Sequence, residues 1–257
     1  MRARIVPPAN GARWLLEGWM LFTAAPLAWL ALLLTYWLLM TLVSIVPFVG
    51  VAAASIAVPA FAVGFMAAAR AASRRSGVEL SLLFDGFRHA LREQLTLGGI
   101  YLTCLALVLG GSLLADDGAL ARWMLTGRRP PAEVLQSDAF LAALACAAAL
   151  YTPVMMLFWF APPLVAWHSA SPMKALFYSF FACLLNWRAF LVYGAAAAAL
   201  TLVVPFVLVL TLRALANVSF AWLAFPLLGV LLPTLFASFF ASYRDVFGNQ
   251  EPAPEPQ

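Results

Sequence analysis

No charged residue interrupts the chain between Gly18 and Ala69, a stretch of 52 residues. A bilayer crossing takes about 20 apolar residues, so this stretch predicts two spans, at 26–46 and 51–71. The turn between them is marked by Pro47-Phe48-Val49-Gly50, where proline and glycine act as punctuation. Four later apolar runs predict spans at 95–114, 140–167, 190–212 and 221–242. Stretches such as Trp29 to Met40 and Ala195 to Leu210 lack the alternation of polar and apolar residues that a barrel strand needs. Lipid cannot satisfy backbone N–H and C=O groups, so spans without that alternation are helices. The expected fold is all-α: a polytopic integral membrane helical bundle of six transmembrane helices, in one membrane domain over 1–248. The tail at 249–257, with three prolines and two glutamates, is expected to be disordered.

Between these runs the pattern changes. From Ser76 to Gln94 the residues Leu80, Leu83, Phe84, Phe87 and Leu91 recur at helical spacing, with Asp85, Arg88, His89 and Arg92 on the other face. Ser76 and Glu79 read as a capping box. This predicts an interfacial helix with its cationic side toward anionic lipid. A second loop helix is expected from Ser171-Pro172, with proline at its first position, to about Leu185. Span four holds Pro153 and the pair Pro162-Pro163. The segment from Ala115 to Asp138 is the substantial polar loop, and Trp123, Met124 and Leu125 suggest a short surface helix within it. Trp14, Trp19 and Trp29 are expected to place indoles near the membrane interface before and at span one.

Composition agrees with lipid as solvent. The chain is 65% hydrophobic and 10% charged, with mean hydropathy +0.94, against roughly a quarter charged in soluble proteins. Arg2, Arg4 and Arg13 before an apolar run resemble a signal peptide, but a cleavable core is only about 7–15 residues. We therefore expect a retained insert. Basic residues set the orientation. With the N-terminus inside, the outer loops hold Arg122, Arg128, Arg129 and Arg213, and the other eleven Lys and Arg fall on inner segments. Both termini and both loop helices are then cytoplasmic. The net charge of +4 follows from this topology and does not suggest nucleic acid.

A weak internal repeat is visible. Pro47-x-x-Gly50-Val51 matches Pro226-x-x-Gly229-Val230, and Leu83-Phe84-x-x-Phe87-x-x-x-Leu91 matches Leu176-Phe177-x-x-Phe180-x-x-x-Leu184. As a set, Gly11-x-x-Trp14, Gly18-Trp19-x-Leu21-Phe22, Phe158-Trp159-Phe160-Ala161-Pro162, Asn186-Trp187-Arg188-Ala189-Phe190 and Ser242-Tyr243-Arg244-Asp245-Val246-Phe247 carry a likeness over nearly the whole chain. It resembles an uncharacterised family of proteobacterial multi-pass inner-membrane proteins. The resemblance implies a bacterial inner membrane and brings no activity or catalytic residue with it.

Chemistry-bearing motifs are sparse. The spans as drawn contain no Asp, Glu, Lys, Arg or His in their interiors, where coupled transporters place ionisable groups. Cys104, Cys146 and Cys183 lie in separate apolar segments and read as packing residues. His89 and His168 lack the further ligands that a metal site needs, and Asp116-Asp117 reads as a solvated loop pair. Nucleophile elbows and phosphate loops are missing. No catalytic residue, cofactor or metal is expected, and the chain reads as non-enzymatic.

Pro59, Pro153, Pro205 and Pro233 each free a carbonyl within a span, either lining a solute path or as ordinary bends. Gly64 with Ala68, and Ala195 with Ala199, give small-residue faces for packing within the bundle or between copies. Arg88, Arg92, Trp187, Arg188, Tyr243 and Arg244 are the candidate contacts for membrane lipids or a protein partner. The leading expectation is a protein that organises lipid or partner proteins. The rivals are a transporter or channel for a small neutral or apolar solute, and an accessory subunit of a membrane complex.

Overall fold

A computed structural model describes residues 3–47, 49–216 and 220–248. Among them there is no strand, and six helical stretches are long and apolar enough to cross a membrane: Pro26–Ser44, Gly50–Arg74, Leu91–Asp116, Asp138–His168, Trp187–Leu208 and Pro226–Phe247. The backbone N–H of Arg4 donates to the carbonyl of Val246 at 3.0 Å, so the two ends of the described chain meet at one end of the bundle. We call this the terminal end and the opposite one the far end. The tail from 249 lies outside the described residues.

Helix α1 (Asn10–Ala24) packs antiparallel along the last turns of α13 (Phe220–Phe247). The chain breaks at Ala25 and restarts with Pro26 at the first position of α2 (Pro26–Ser44), where a missing N–H costs nothing. Helix α3 (Gly50–Arg74) returns to the terminal end and is the most buried span. It stops at Arg75, which takes a left-handed conformation (φ 54°) while the N–H of Ser76 donates back to Ala71 O at 3.1 Å, a Schellman-type ending. After α4 (Asp85–Arg88), α5 (Leu91–Asp116) runs to the far end. There α6 (Ala119–Thr126), which contains Trp123, and α7 (Ala132–Leu135) form the polar loop. Helices α8 (Asp138–Phe158) and α9 (Ala161–His168) return, and α10 (Pro172–Leu185) lies across the terminal end. Span five is α11 (Trp187–Ala198), a π-helical turn at Ala199–Val203, and α12 (Val204–Ala216); α13 closes the bundle.

Three expectations are corrected by this packing. Ser76 to Gln94 is not one amphipathic helix. It is a 3-10 turn at Leu80–Phe84, then α4, then a left-handed Ala90 (φ 58°) before α5. Ser76 Oγ donates to Ala71 O and Glu79 accepts from Ser81, so no capping box forms. The break lets Leu83 seat its backbone on Gly64 and Gly86 seat on the carbonyl of Ala60, contacts that a Cβ at either glycine would block. Gly64 thus serves packing within the chain.

Secondly, Trp14 and Trp29 are core residues, 1% and 0% exposed, while Trp19 faces outward. Both buried indoles found acceptors: Trp14 Nε1 donates to Asp245 Oδ2 at 2.9 Å and Trp29 Nε1 to Leu21 O at 3.0 Å. Thirdly, Asp116 is not solvated. Its carboxylate accepts from the N–H groups of Gly118 (3.0 Å) and Leu120 (2.7 Å), tying the end of α5 to the start of α6.

Of the two matches in the sequence repeat, the Leu83–Leu91 and Leu176–Leu184 stretches both sit at the terminal end, each joining one span to the next, whereas 47–50 lies where α2 gives way to α3 and Pro226 lies inside α13. The two terminal-end stretches differ in conformation, since Leu83–Leu91 is broken and Leu176–Leu184 lies within a regular helix.

Candidate functional site

The polar chemistry of the molecule is concentrated at the terminal end. Asn186, at the joint of α10 and α11, is 2% exposed. Its Oδ1 accepts from the N–H of Val6 at 2.8 Å, and its Nδ2 donates to Arg4 O and Ala182 O, both at 2.9 Å. The segment before α1, at Arg4 and Val6, is therefore strapped onto the joint, and a motif expected to face lipid proves to be partly an internal clamp. Asp245 is a second hub. Its Oδ2 accepts from Asn10 Nδ2 at 2.7 Å as well as from Trp14, and the neighbouring Arg244 pairs with Glu17 at 2.7 Å. A polar cavity of about 150 Å³ lies here, lined by Arg4, Asn10, Arg13, Trp14, Glu17, Arg244 and Asp245.

The backbone explains how α1 comes so close. Gly11 lies against Ala189 O and Gly18 against the backbone of Thr234 and Ser238, where any side chain would collide. Gly11, Trp14, Leu15, Gly18 and Phe22 form its buried stripe, which matches helical spacing.

A third polar feature is the break between α8 and α9. Pro162 and Pro163 carry no N–H for the turn before them, and the helix opens at Trp159-Phe160. The hydroxyl of Ser179 fills the gap: it accepts from Phe160 N–H at 2.9 Å and donates to Met156 O at 2.7 Å. Gln94, fully buried, donates through Nε2 to Pro162 O at 2.9 Å. Beside this break, the Arg70 guanidinium lies 4.4 Å from the Trp167 ring centroid and His168 Nε2 meets Tyr243 Oη at 2.7 Å.

The residues singled out in the sequence are brought to the same end but not to one pocket. Arg88 and Arg92 are exposed beside α4, and Trp187 and Arg188 are exposed at the start of α11, with the guanidinium 5.4 Å from the indole centroid. Arg244 is partly exposed on α13. Tyr243 is 1% exposed and packs on Trp167 and Phe247. It therefore belongs to the core, because α13 continues past it to Phe247. Asn10, Gln94 and Ser179 were not singled out as sites. The usable signal was polar residues at positions otherwise surrounded by apolar ones, which are costly in lipid unless paired.

Two of the apolar cavities lie beside the break between α8 and α9. One of about 170 Å³ is enclosed by α3, α5, α8, α9 and α13, with Pro59, Pro162 and Pro163 in its wall and the Tyr101–Tyr151 hydroxyl pair (3.2 Å) at its edge. Pro153, Pro205 and Pro233 do not line it, so only part of the proline set surrounds a common space. The other, of about 520 Å³, opens between α8 and α11 and shares Met155, Trp159 and Phe239 with the first. Cys183 lines it, and burial pushes its thiol up from the ordinary range, which leaves it protonated and unreactive. Among the described residues, no three of His, Cys, Asp and Glu come together as a metal site.

Six apolar crossings around a polar, tightly packed end define a polytopic α-helical membrane protein. The chain is 42% identical over 254 residues to a Burkholderia thailandensis protein described as a "probable inner membrane protein", covering 96% of this chain and 94% of that one. It belongs to that protein's family. No family model and no solved structure matches it.

Proposed function

We propose that this chain is a non-enzymatic protein of the bacterial inner membrane that organises anionic lipid around its terminal end, with that end in the cytoplasm. The observation that carries the reading is an excess of positive charge at the terminal end, where the acids Glu17, Glu79, Asp85, Glu93 and Asp245 are outnumbered by basic residues. Arg74, Arg75, Arg88, Arg92, Lys174 and Arg188 are all exposed at the terminal end. At the far end Arg122, Arg128 and Arg129 are interspersed with Asp117, Glu133 and Asp138. Basic residues concentrate on cytoplasmic faces, and each near a membrane surface adds about 1 kcal/mol of attraction to anionic lipid. The densely packed helices behind them supply a platform that holds those charges in place.

The test is replacement of Arg88, Arg92, Arg188 and Arg244 by Gln together, followed by reconstitution into vesicles mixing phosphatidylglycerol and phosphatidylcholine. The wild type enriches phosphatidylglycerol in its lipid annulus, and the variant loses most of that enrichment. An unchanged annulus would end the proposal. Reporter fusions check the orientation independently: the Arg70–Arg92 segment reports cytoplasm and the Arg122–Arg129 segment the opposite side.

A further inference from the structure

Spans four and five are consecutive, yet they do not pack face to face. Helix α8 packs on α5 and α10, and α11 packs on α1. The cleft left between them is floored by Leu235 and Phe239 of α13, with Trp159 and Cys183 in its wall and Trp187 at its terminal-end mouth. Its volume of about 520 Å³ lies in the roughly 300–1,000 Å³ range of ligand clefts. The polar groups in its wall are already used: Trp159 Nε1 donates to Ser242 Oγ at 3.2 Å, and the Tyr193 hydroxyl pairs with Ser238 Oγ at 2.8 Å. What remains is carbon, so the occupant is hydrocarbon.

The opening faces sideways, as it would for a ligand arriving from the bilayer. Leu191 and Gly194 are exposed along it, and a Cβ on Gly194 would meet nothing within 4 Å. Met155 and Met156 give the wall unbranched side chains that adapt to a flexible chain. At the terminal-end mouth, Trp187 lines the cleft and carries the Arg188 guanidinium over its ring. No carboxylate pairs with Arg188 among the described residues. Guanidinium is well matched to phosphate oxygens.

We propose that this cleft is a site for one anionic phospholipid, its acyl chain between α8 and α11 and its phosphate on Arg188. The inference rests on the reading of the terminal end as the headgroup side, and it adds a defined seat to what is otherwise a diffuse attraction.

Native mass spectrometry of the full chain in detergent, with phosphatidylglycerol or phosphatidylcholine added, tests it. The wild type retains one phosphatidylglycerol about tenfold more tightly than phosphatidylcholine, the worth of one charge-assisted contact. Arg188→Gln removes that preference and leaves phosphatidylcholine retention unchanged. Ala197→Phe, or Gly194→Leu in open space where folding is unaffected, lowers retention of both lipids. Arg88→Gln with Arg92→Gln leaves the tightly held lipid in place, which separates this seat from the general basic end. Retention as in the wild type when the cleft is filled would overturn the proposal. So would a dimer that displaces the lipid and is itself lost on filling, because the occupant would then be a second copy.

Discussion

The two ends of the bundle are held together by different means. At the terminal end, side chains bond across long stretches of sequence: Asn186 to Val6 and Arg4, Asp245 to Asn10 and Trp14, Ser179 to Met156 and Phe160, Gln94 to Pro162. At the far end the corresponding bonds are local. Asp116 caps the start of α6, and Ser137 Oγ accepts from Phe140 N–H at 3.2 Å at the start of α8. The apolar cluster there is small, built on Leu120, Phe140 and Ala143.

Burial of the spans follows a related gradient, with 56% of the apolar window of α3 buried against 6% in Trp187–Leu208. The lesson is physical. Lipid tails are as apolar as leucine, so burying leucine against leucine gives little reason for helices to associate within a bilayer. Close backbone approach and satisfied polar groups supply that reason, and this chain places both at one end.

The largest break in this comparison comes from adjacent glycines of α5. A Cβ at Gly98 would collide with the backbone of Ile56, while one at Gly99 meets nothing within 4 Å. Gly98→Val is expected to cost about 3 kcal/mol or more in denaturant unfolding from mixed micelles. Gly99→Val should stay within about 0.5 kcal/mol.

Next comes the clamp. Asn186→Ala leaves the Val6 N–H without its acceptor, at a cost of about 2 kcal/mol, and residues 3–8 become open to limited proteolysis. Its counterpart at the far end, Ser137→Ala, removes a helix cap worth about 1 kcal/mol and should leave that proteolysis pattern unchanged. The smallest effect belongs to Glu17→Gln. The Glu17–Arg244 pair is partly exposed, so its loss should change stability by less than about 1 kcal/mol, and less again in high salt.

Much of the architecture was legible from hydropathy alone. Six apolar runs correspond to six helices, and the glycine and proline at 47–50 lie where α2 gives way to α3. What hydropathy could not show is which face of each helix meets protein, since both faces are apolar in lipid and the amphipathic signal disappears.

That is why α1 escaped notice and why Trp14 and Trp29 read as interfacial. Indole suits the interface and the core equally, and a hydrogen-bond acceptor from a distant residue decides between them. The broken segment at Leu80–Arg88 misled for a related reason: its apolar spacing is helical, but Gly64 and Gly86 favour close contact over a continuous helix. For the candidate site, Arg88, Arg92, Arg188 and Arg244 were legible as a basic end, while the role of Asn186 depended on a partner 180 residues away.

Amide hydrogen exchange in lipid nanodiscs tests the difference between the two ends most directly, because both have connecting segments outside the spans. Slow exchange is predicted at 80–88 and 172–185, where the connections are built into the packed core, with faster exchange by an order of magnitude or more at 117–137. Equal exchange at the two ends, or slower exchange at 117–137, would contradict the account.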